Sequence, residues 1–238
     1  LARVEKVTGA PAPELKFFHH GEITIAGHTV GVLRHGMAGQ PGYEMWGPWA
    51  EGEAVHKALV DAGEEFGLQL AGSRAYSTAN VGSAWVPTPP PAIFGDELRG
   101  YREWLDTSKA GSLGGSFDSN RIEDYYLTPY DIGLGRTVGF DHDFLGREAL
   151  EKHAENQQRV KVSLVWDADD VAGLLRGQLN PGELPVKFLE LPKSRYAQHQ
   201  TDTVLKDGEP IGLSLDLGYL ANEKVFLSLA TIDVAHSE

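Results

Sequence analysis

At residues 34–48 the chain has the sequence RHGMAGQPGYEMWGP, which places four glycines around a single acidic residue, Glu44. Glycine lets the backbone adopt positive φ and approach a ligand closely. Tyr43, Trp46 and the nearby Trp49 offer flat faces to a planar heterocycle, and Glu44 can accept hydrogen bonds from ring N–H or amino groups. The segment predicts a small-molecule site built on a turn, although an ordinary glycine-rich hairpin with a solvated glutamate has the same composition.

Three further blocks follow this segment in a recognisable order. The pattern R-x-G-x-x-G-x-x-G-x-E at residues 34–44 is followed by GSRAY at 72–76, LTPYDIGLG at 127–135 and FLGREAL at 144–150. The four blocks resemble the folate-binding segment and the later motifs of the glycine-cleavage T-protein superfamily. Within it, the chain is similar to the tetrahydrofolate-dependent aryl O-demethylases of the vanillate/3-O-methylgallate and syringate type, from about residue 14 to residue 233.

The resemblance implies an α+β fold of the T-protein type that ends in a mostly β, barrel-like module. We expect a middle folate-binding domain at residues 1–90, a helical and loop segment that completes it at 91–156, and part of a C-terminal β-barrel at 157–238. The chain begins without Met and stops just after an apparent strand. We therefore expect the family's first domain, with the ligands of the substrate carboxylate, to lie outside this chain.

Hydrophobic periodicity and turn residues predict the individual elements. A helix is predicted at 51–66, where apolar residues recur at helical spacing and Gly67 ends the run. The other predictions are a hairpin at 21–33, a strand at 68–71, a helix from Ser73, a proline-rich connector at 87–91, a helix at 95–105, a loop at 110–116, a helix at 144–156, a strand at 160–166, a hairpin with an Asp-Gly turn at 204–212 and a strand pair at 225–234.

The resemblance also assigns roles to three residues. Tyr76, in the GSRAY block, corresponds to the family's catalytic tyrosine beside the cofactor. An aryl ether that loses its methyl group leaves a phenolate that needs a proton, and a phenol is a well-matched donor. Trp85 corresponds to a position that contacts folate, where an indole can stack on the pterin or aminobenzoyl ring. Glu44 corresponds to the carboxylate that holds the guanidine-like edge of the pterin by paired hydrogen bonds.

Each role has a structural alternative. Tyr76 and Trp85 could be packed aromatic residues, and Glu44 a solvated acid. T-proteins carry Asp after the arginine of their corresponding block, where this chain has Ala-Tyr, and this difference favours demethylation over aminomethyl transfer. An aminomethyltransferase of glycine cleavage and a non-catalytic folate-binding module remain the alternative functions. The expected partners are tetrahydrofolate, as methyl acceptor, and a small methoxylated aromatic acid.

Composition argues against several other classes of protein. With 21 basic and 34 acidic residues the formal charge is −13, which offers no positive field to nucleic acid. The absence of cysteine removes thiol catalysis and thiolate metal sites and fits a cytoplasmic location. No long apolar run predicts a membrane span. No metal site is predicted: Asp141 and Asp143 are too few, and on a strand His142 would face the other way.

Overall fold

The computed structural model describes residues 2–37, 40–87, 89–109, 111–181, 184 and 186–237. The chain forms two compact units, residues 1–79 and 80–238. The boundary between them lies within one helix, and the predicted domain limits at residues 90 and 156 stay predictions. Helices and sheets are mixed along the chain, so the fold is α+β.

A three-stranded antiparallel sheet with strand order β1-β2-β3 is the centre of the first unit. Its core consists of Ile25, Val30 and Val32, against which Val55 and Leu59 of the following helix pack. The predicted hairpin is confirmed, as is the predicted helix, which ends at Gly67 with φ +64°. The elements of the unit are α1 (Ala2–Thr8), β1 (His20–Ile25), β2 (His28–Met37), β3 (Gln40–Trp46) and α2 (Gly52–Gly63), with short 3₁₀ turns at Trp49–Glu51 and Glu64–Phe66.

The prediction of a strand at residues 68–71 is wrong, because this stretch forms no strand. After Gly67 the backbone N–H of Leu68 bonds to the carbonyl of Gly63, 3.0 Å away, and closes the helix end. A Cβ on Gly63 would lie 2.4 Å from the Leu68 side chain, so Leu68 packs on its own helix. The predicted helix from Ser73 is confirmed as α3 (Ser73–Gly82).

An antiparallel sheet with strand order β5-β9-β8-β7 is the main element of the second unit. Leu229, Ala230 and Ile232 of the central strand β9 are buried in it. The tight turn at Asp207-Gly208 is confirmed, and both of its residues have positive φ, as a two-residue hairpin requires. The elements of the unit are α4 (Arg99–Trp104), β4 (Leu113–Gly114), α5 (Arg147–Glu155), β5 (Arg159–Val165), α6 (Ala168–Gly177), β6 (His199–Gln200), β7 (Asp202–Lys206), β8 (Glu209–Leu220) and β9 (Val225–Asp233).

Several predictions for this unit need correction. The residues predicted as a strand pair at 225–234 form the single strand β9, which pairs with β5 on one side and β8 on the other. The predicted loop at 110–116 contains β4, which pairs with β6 in parallel. The helix predicted at 144–156 begins only at Arg147, because Gly146 has φ +87°.

Helix α6 is absent from the prediction of a mostly β tail. Its N-cap is Asp167, whose carboxylate accepts hydrogen bonds from the backbone N–H groups of Asp169 and Asp170. Across the described residues the four-stranded sheet of the tail has β5 and β7 as its edges, and no closed barrel is found. None of the described helices has the length and apolar composition needed to cross a membrane.

Candidate functional site

Glu44 lies in the middle of β3, on the sheet face that is turned away from α2. Side chains alternate between the two faces of a strand. Tyr43 and Met45 pack into the core with α2, so Glu44 and Trp46 belong to the opposite face. The Glu44 side chain is 63% exposed. Its carboxylate is accordingly open to a ligand on that face.

His35 is the residue beside Glu44 that the sequence did not reveal. It pairs with Gly42 across the strands, two residues from Glu44, and its Nε2 lies 3.9 Å from Glu44 Oε1. The rings of Phe17 and Phe18 contact the imidazole from the other side, with centroids 6.0 and 5.2 Å away. At this distance a protonated His35 forms an ion pair with the carboxylate. Ala38 and Gly39, which belong to the segment predicted to form a turn, lie outside the described residues.

The three aromatic residues expected around Glu44 behave differently. The prediction that Tyr43 offers its ring to a ligand at Glu44 is wrong. Tyr43 faces the core, and its hydroxyl donates a hydrogen bond to the carbonyl of Pro13, 2.8 Å away. Trp46 shares the face of Glu44 and lies over Gly31, where a Cβ would be 2.4 Å from the indole. Trp46 and Trp49 are both exposed, Trp49 at 99%. Trp46 is therefore the aromatic residue that this face presents.

Tyr76 lies in the first turn of α3. Its backbone N–H bonds to the carbonyl of Gly72 at 3.1 Å, and its side chain is 51% exposed. Within the described part of the chain no hydrogen bond joins Tyr76 to Glu44, and the two residues stand on separate elements of the first unit. The phenol is accessible, which a proton donor requires.

Trp85 belongs to the second unit and lies just beyond the end of α3. It is half-buried, and its backbone N–H bonds to the carbonyl of Asn80, 2.9 Å away. Its neighbours Ala84 and Val86 both pack into a core cluster with Ile132. The backbone on either side of the indole is thus fixed, whereas the indole keeps part of its surface accessible.

Two apolar cavities lie elsewhere in the molecule. One, of about 350 Å³, lies between the end of β3 and α2 and is lined in part by Trp46 and Trp49, so Trp46 at the strand end also borders the space beside α2. The other, of about 360 Å³, lies over the C-terminal sheet beside Trp166 and Phe226. The described residues that line them do not include Glu44, Tyr76 or Trp85. Neither of these two cavities therefore contains any of the three predicted site residues.

The buried acid Asp216 is remote from these residues in the sequence. Burial raises the pKa of Asp216, although its ion pair with Lys193, at 2.6 Å, acts in the opposite direction. The described residues contain no group of three or more His, Asp or Glu placed to hold a metal. Asp141 and His142 do not lie on a strand, which corrects the prediction that His142 faces away from Asp141: its Nδ1 lies 2.9 Å from Asp141 Oδ1. This contact lowers the pKa of Asp141.

Comparison with known proteins identifies the family. A family model described as the GCVT N-terminal domain matches residues 1–85. The chain is 46% identical over 242 residues to a syringate O-demethylase of Sphingobium sp. strain SYK-6, which covers 100% of this chain and 52% of the relative. It is 32% identical to a sesamin methylene transferase of Sinomonas sp. strain No.22, with coverages of 94% and 53%. An aminomethyltransferase of Streptomyces avermitilis is 31% identical over 168 residues, which is 68% of this chain and 37% of that protein.

The chain belongs to the GCVT family, as the four motif blocks predicted. It spans about half the length of the first two of these relatives.

Proposed function

We propose that the intact protein transfers the O-methyl group of a methoxylated aromatic acid, of the vanillate, 3-O-methylgallate or syringate class, to tetrahydrofolate. The observation that carries this proposal is the 46% identity to a syringate O-demethylase along the whole chain. That identity is well above the 31% found over two thirds of the chain with an aminomethyltransferase. The products are a free phenol and 5-methyltetrahydrofolate.

The residues present fit tetrahydrofolate. The pterin carries adjacent amino and ring N–H donors, and the exposed Glu44 carboxylate is an acceptor that can bind two of them. Trp85 offers an indole for stacking, held on a backbone that is fixed on both sides. In this proposal Glu44 holds the pterin edge, Trp85 contacts the folate, and Tyr76 lies beside both reactants.

Tyr76 is proposed as the general acid. When bound, tetrahydrofolate supplies the N5 lone pair that accepts the methyl carbon. As the bond between that carbon and the aryl oxygen breaks, its electron pair stays on oxygen, and the Tyr76 hydroxyl donates its proton there. Tyr76 regains a proton from solvent, and the proton displaced from N5 is released, so atoms and charge balance. The half-exposed position of the phenol supports this exchange with solvent.

Finer structural features belong to the same proposal. We propose that the sheet β5-β9-β8-β7 is part of a C-terminal barrel, and that residues 1–90, 91–156 and 157–238 are the working domains. A cytoplasmic location remains a prediction from the composition.

A second candidate reaction is methylene transfer. It is favoured by the 32% identity over 94% of this chain to a sesamin methylene transferase. The two reactions differ in the folate product, because a methylenedioxy carbon is delivered at the oxidation level of 5,10-methylenetetrahydrofolate. Product analysis with syringate and with sesamin therefore separates them.

The roles of Glu44 and Tyr76 are tested by measuring tetrahydrofolate binding and turnover in separate experiments. Tetrahydrofolate affinity is measured by calorimetry under reducing conditions for Glu44→Gln, with Glu53→Gln on the exposed surface of α2 as the matched control. Turnover is measured for Tyr76→Phe, with Tyr101→Phe, at 45% exposure on α4, as its control. We expect Glu44→Gln to weaken binding and Tyr76→Phe to lower turnover by about a hundredfold or more with little change in binding. Equal behaviour of variants and controls would exclude these roles.

A further inference from the structure

The C-terminal end of α3 forms a closed cap immediately before Trp85. The backbone N–H of Trp85 bonds to the carbonyl of Asn80 at 2.9 Å, and that of Ala84 bonds to Val81 at 3.1 Å. This pair of bonds is the Schellman pattern, in which the residue before the last donor adopts the left-handed conformation. Ala84 does so, with φ +56°, although it is not glycine. The cap sets where the chain leaves the helix, and hence where Trp85 lies.

Lys161 binds this cap from a distant part of the chain. It lies on β5, and its Nζ donates to the carbonyl oxygen of Ala84 at 2.6 Å, across 77 residues of sequence. Carbonyls at a helix C-terminus lack intrahelical partners and carry the negative end of the helix dipole, so a cation is a favourable partner there. The bond is charge-assisted and partly buried, which makes it stronger than an ordinary surface contact.

The Lys161 side chain is itself held in place. A Cβ on Gly133 would lie 2.8 Å from Lys161 Cε, so the lysine stem runs directly against the backbone of Gly133. Gly133 follows Ile132, which is buried in the same core cluster as Val86. The lysine is therefore anchored at its stem by one loop and at its ammonium group by the Ala84 carbonyl.

We propose that Lys161 is a positioning residue for Trp85, which holds the indole in the orientation that contacts tetrahydrofolate. The inference rests on the proposed function, in which Trp85 touches the folate. Lys161 does not touch the folate in this scheme. Its ammonium group fixes the Ala84 carbonyl and so prevents the peptide between Ala84 and Trp85 from rotating out of the left-handed cap.

The test is a double-mutant cycle on the intact protein with tetrahydrofolate affinity as the readout. Trp85→Ala is expected to weaken binding about tenfold, the worth of one aromatic stacking contact. Lys161→Met keeps the stem and removes the ammonium group, and it is expected to weaken binding about threefold to tenfold when Trp85 is present. In the Trp85→Ala background, Lys161→Met should weaken tetrahydrofolate binding less than about twofold, because the effects of two coupled residues are not additive. Lys152→Met, on the exposed face of α5, is the matched control.

A second readout needs no folate. Amide hydrogen exchange of the segment from Val81 to Val86 should be about tenfold faster in Lys161→Met than in the wild type, and unchanged in Lys152→Met. Lys161→Arg retains a charged donor and should keep the wild-type affinity within about twofold. If Lys161→Met does not fold, Lys161→Gln is compared with Lys161→Arg by the same criteria.

Three results would overturn the inference. One is an unchanged affinity in Lys161→Met, and another is an equal loss with and without Trp85, which would indicate a general structural role. The third is a Trp85→Ala variant that binds tetrahydrofolate normally. If Glu44→Gln still weakens binding in that third case, the proposed function stands and only the assignment of Trp85, with Lys161, fails.

Discussion

Gly115 is the position where a single added methyl group should damage the fold most. Its φ is +115°, a conformation that only glycine adopts readily. A Cβ there would lie 1.9 Å from the carbonyl oxygen of Thr201 and 2.5 Å from the carbonyl carbon. Thr201 is 2% exposed, and its carbonyl also accepts a hydrogen bond from the backbone N–H of Phe117 at 3.1 Å. The oxygen therefore has no room to move away.

The expected loss for Gly115→Ala follows from these contacts. A non-glycine residue in this backbone region costs about 1–3 kcal/mol, and overpacking against a fixed group costs about 1–3 kcal/mol more. Alanine also lowers the conformational entropy of the unfolded chain, which stabilises the folded state by about 0.4–1 kcal/mol. The net loss in the free energy of unfolding is about 3 kcal/mol, which corresponds to a decrease in Tm of about 6–12 °C for a protein of this size.

The assay is thermal unfolding followed by circular dichroism, with Gly173→Ala as the matched control. Gly173 lies inside α6, and a Cβ there would meet nothing within 4 Å. The same chemical change should raise the stability of the protein by about 0.5–1 kcal/mol at this site, because alanine is the better helix former. A Gly115→Ala protein that unfolds within about 2 °C of the wild type would refute the reasoning.

Three further outcomes are expected. Glu44→Gln should weaken tetrahydrofolate binding about tenfold in calorimetry, since a charge-assisted hydrogen bond is worth about 1.5–3 kcal/mol and the 63% exposure of Glu44 screens part of it. Asp167→Ala should lower the free energy of unfolding by about 1 kcal/mol in urea, because it removes the N-cap of α6. Lys193→Met should lower it by about 3–5 kcal/mol at pH 7, because it leaves the buried Asp216 carboxylate unpaired. Burial raises the pKa of Asp216 in the folded state, so the protonated carboxyl group stabilises the fold at acid pH, and this stabilisation is lost as pH rises through the folded-state pKa. The difference in the free energy of unfolding between Lys193→Met and the wild type should therefore become smaller in unfolding curves measured at decreasing pH.

Local elements of the fold could be predicted from the sequence because their causes are local. The turn at Asp207-Gly208 needs two residues with positive φ, and α2 needs only an apolar stripe and a glycine at its end. The signal for α6 was also present, since Asp167 precedes apolar residues at positions 171, 174 and 175, but the surrounding β pattern obscured it. The prediction of a strand at 68–71 is wrong because, within the described residues, no strand pairs with this segment.

The sequence predicted which residue types belong to the candidate site, but it did not predict how those residues are arranged in space. Alternation along β3 separates Glu44 from Tyr43 only once the core face is known, and the core face depends on where α2 packs. The approach of His35 to Glu44 depends on strand register, which the segment RHGMAGQPGYE does not define. The bond from Lys161 to Ala84 joins residues 77 positions apart and has no sequence signature. Family resemblance supplied the roles of Glu44 and Trp85, which the residue pattern alone left open.

Methyl transfer by the intact protein is the central claim, and an isotopic label tests it most directly. Syringate carrying ¹³C in its methoxy groups is incubated with tetrahydrofolate and the protein, and the folate product is followed by NMR. The account predicts 5-methyltetrahydrofolate with ¹³C on N5, formed together with the demethylated phenol, and about a hundredfold or greater loss of this signal in Tyr76→Phe. Bound tetrahydrofolate that never acquires the label from syringate or vanillate would contradict the account and would favour aminomethyl transfer or simple folate binding.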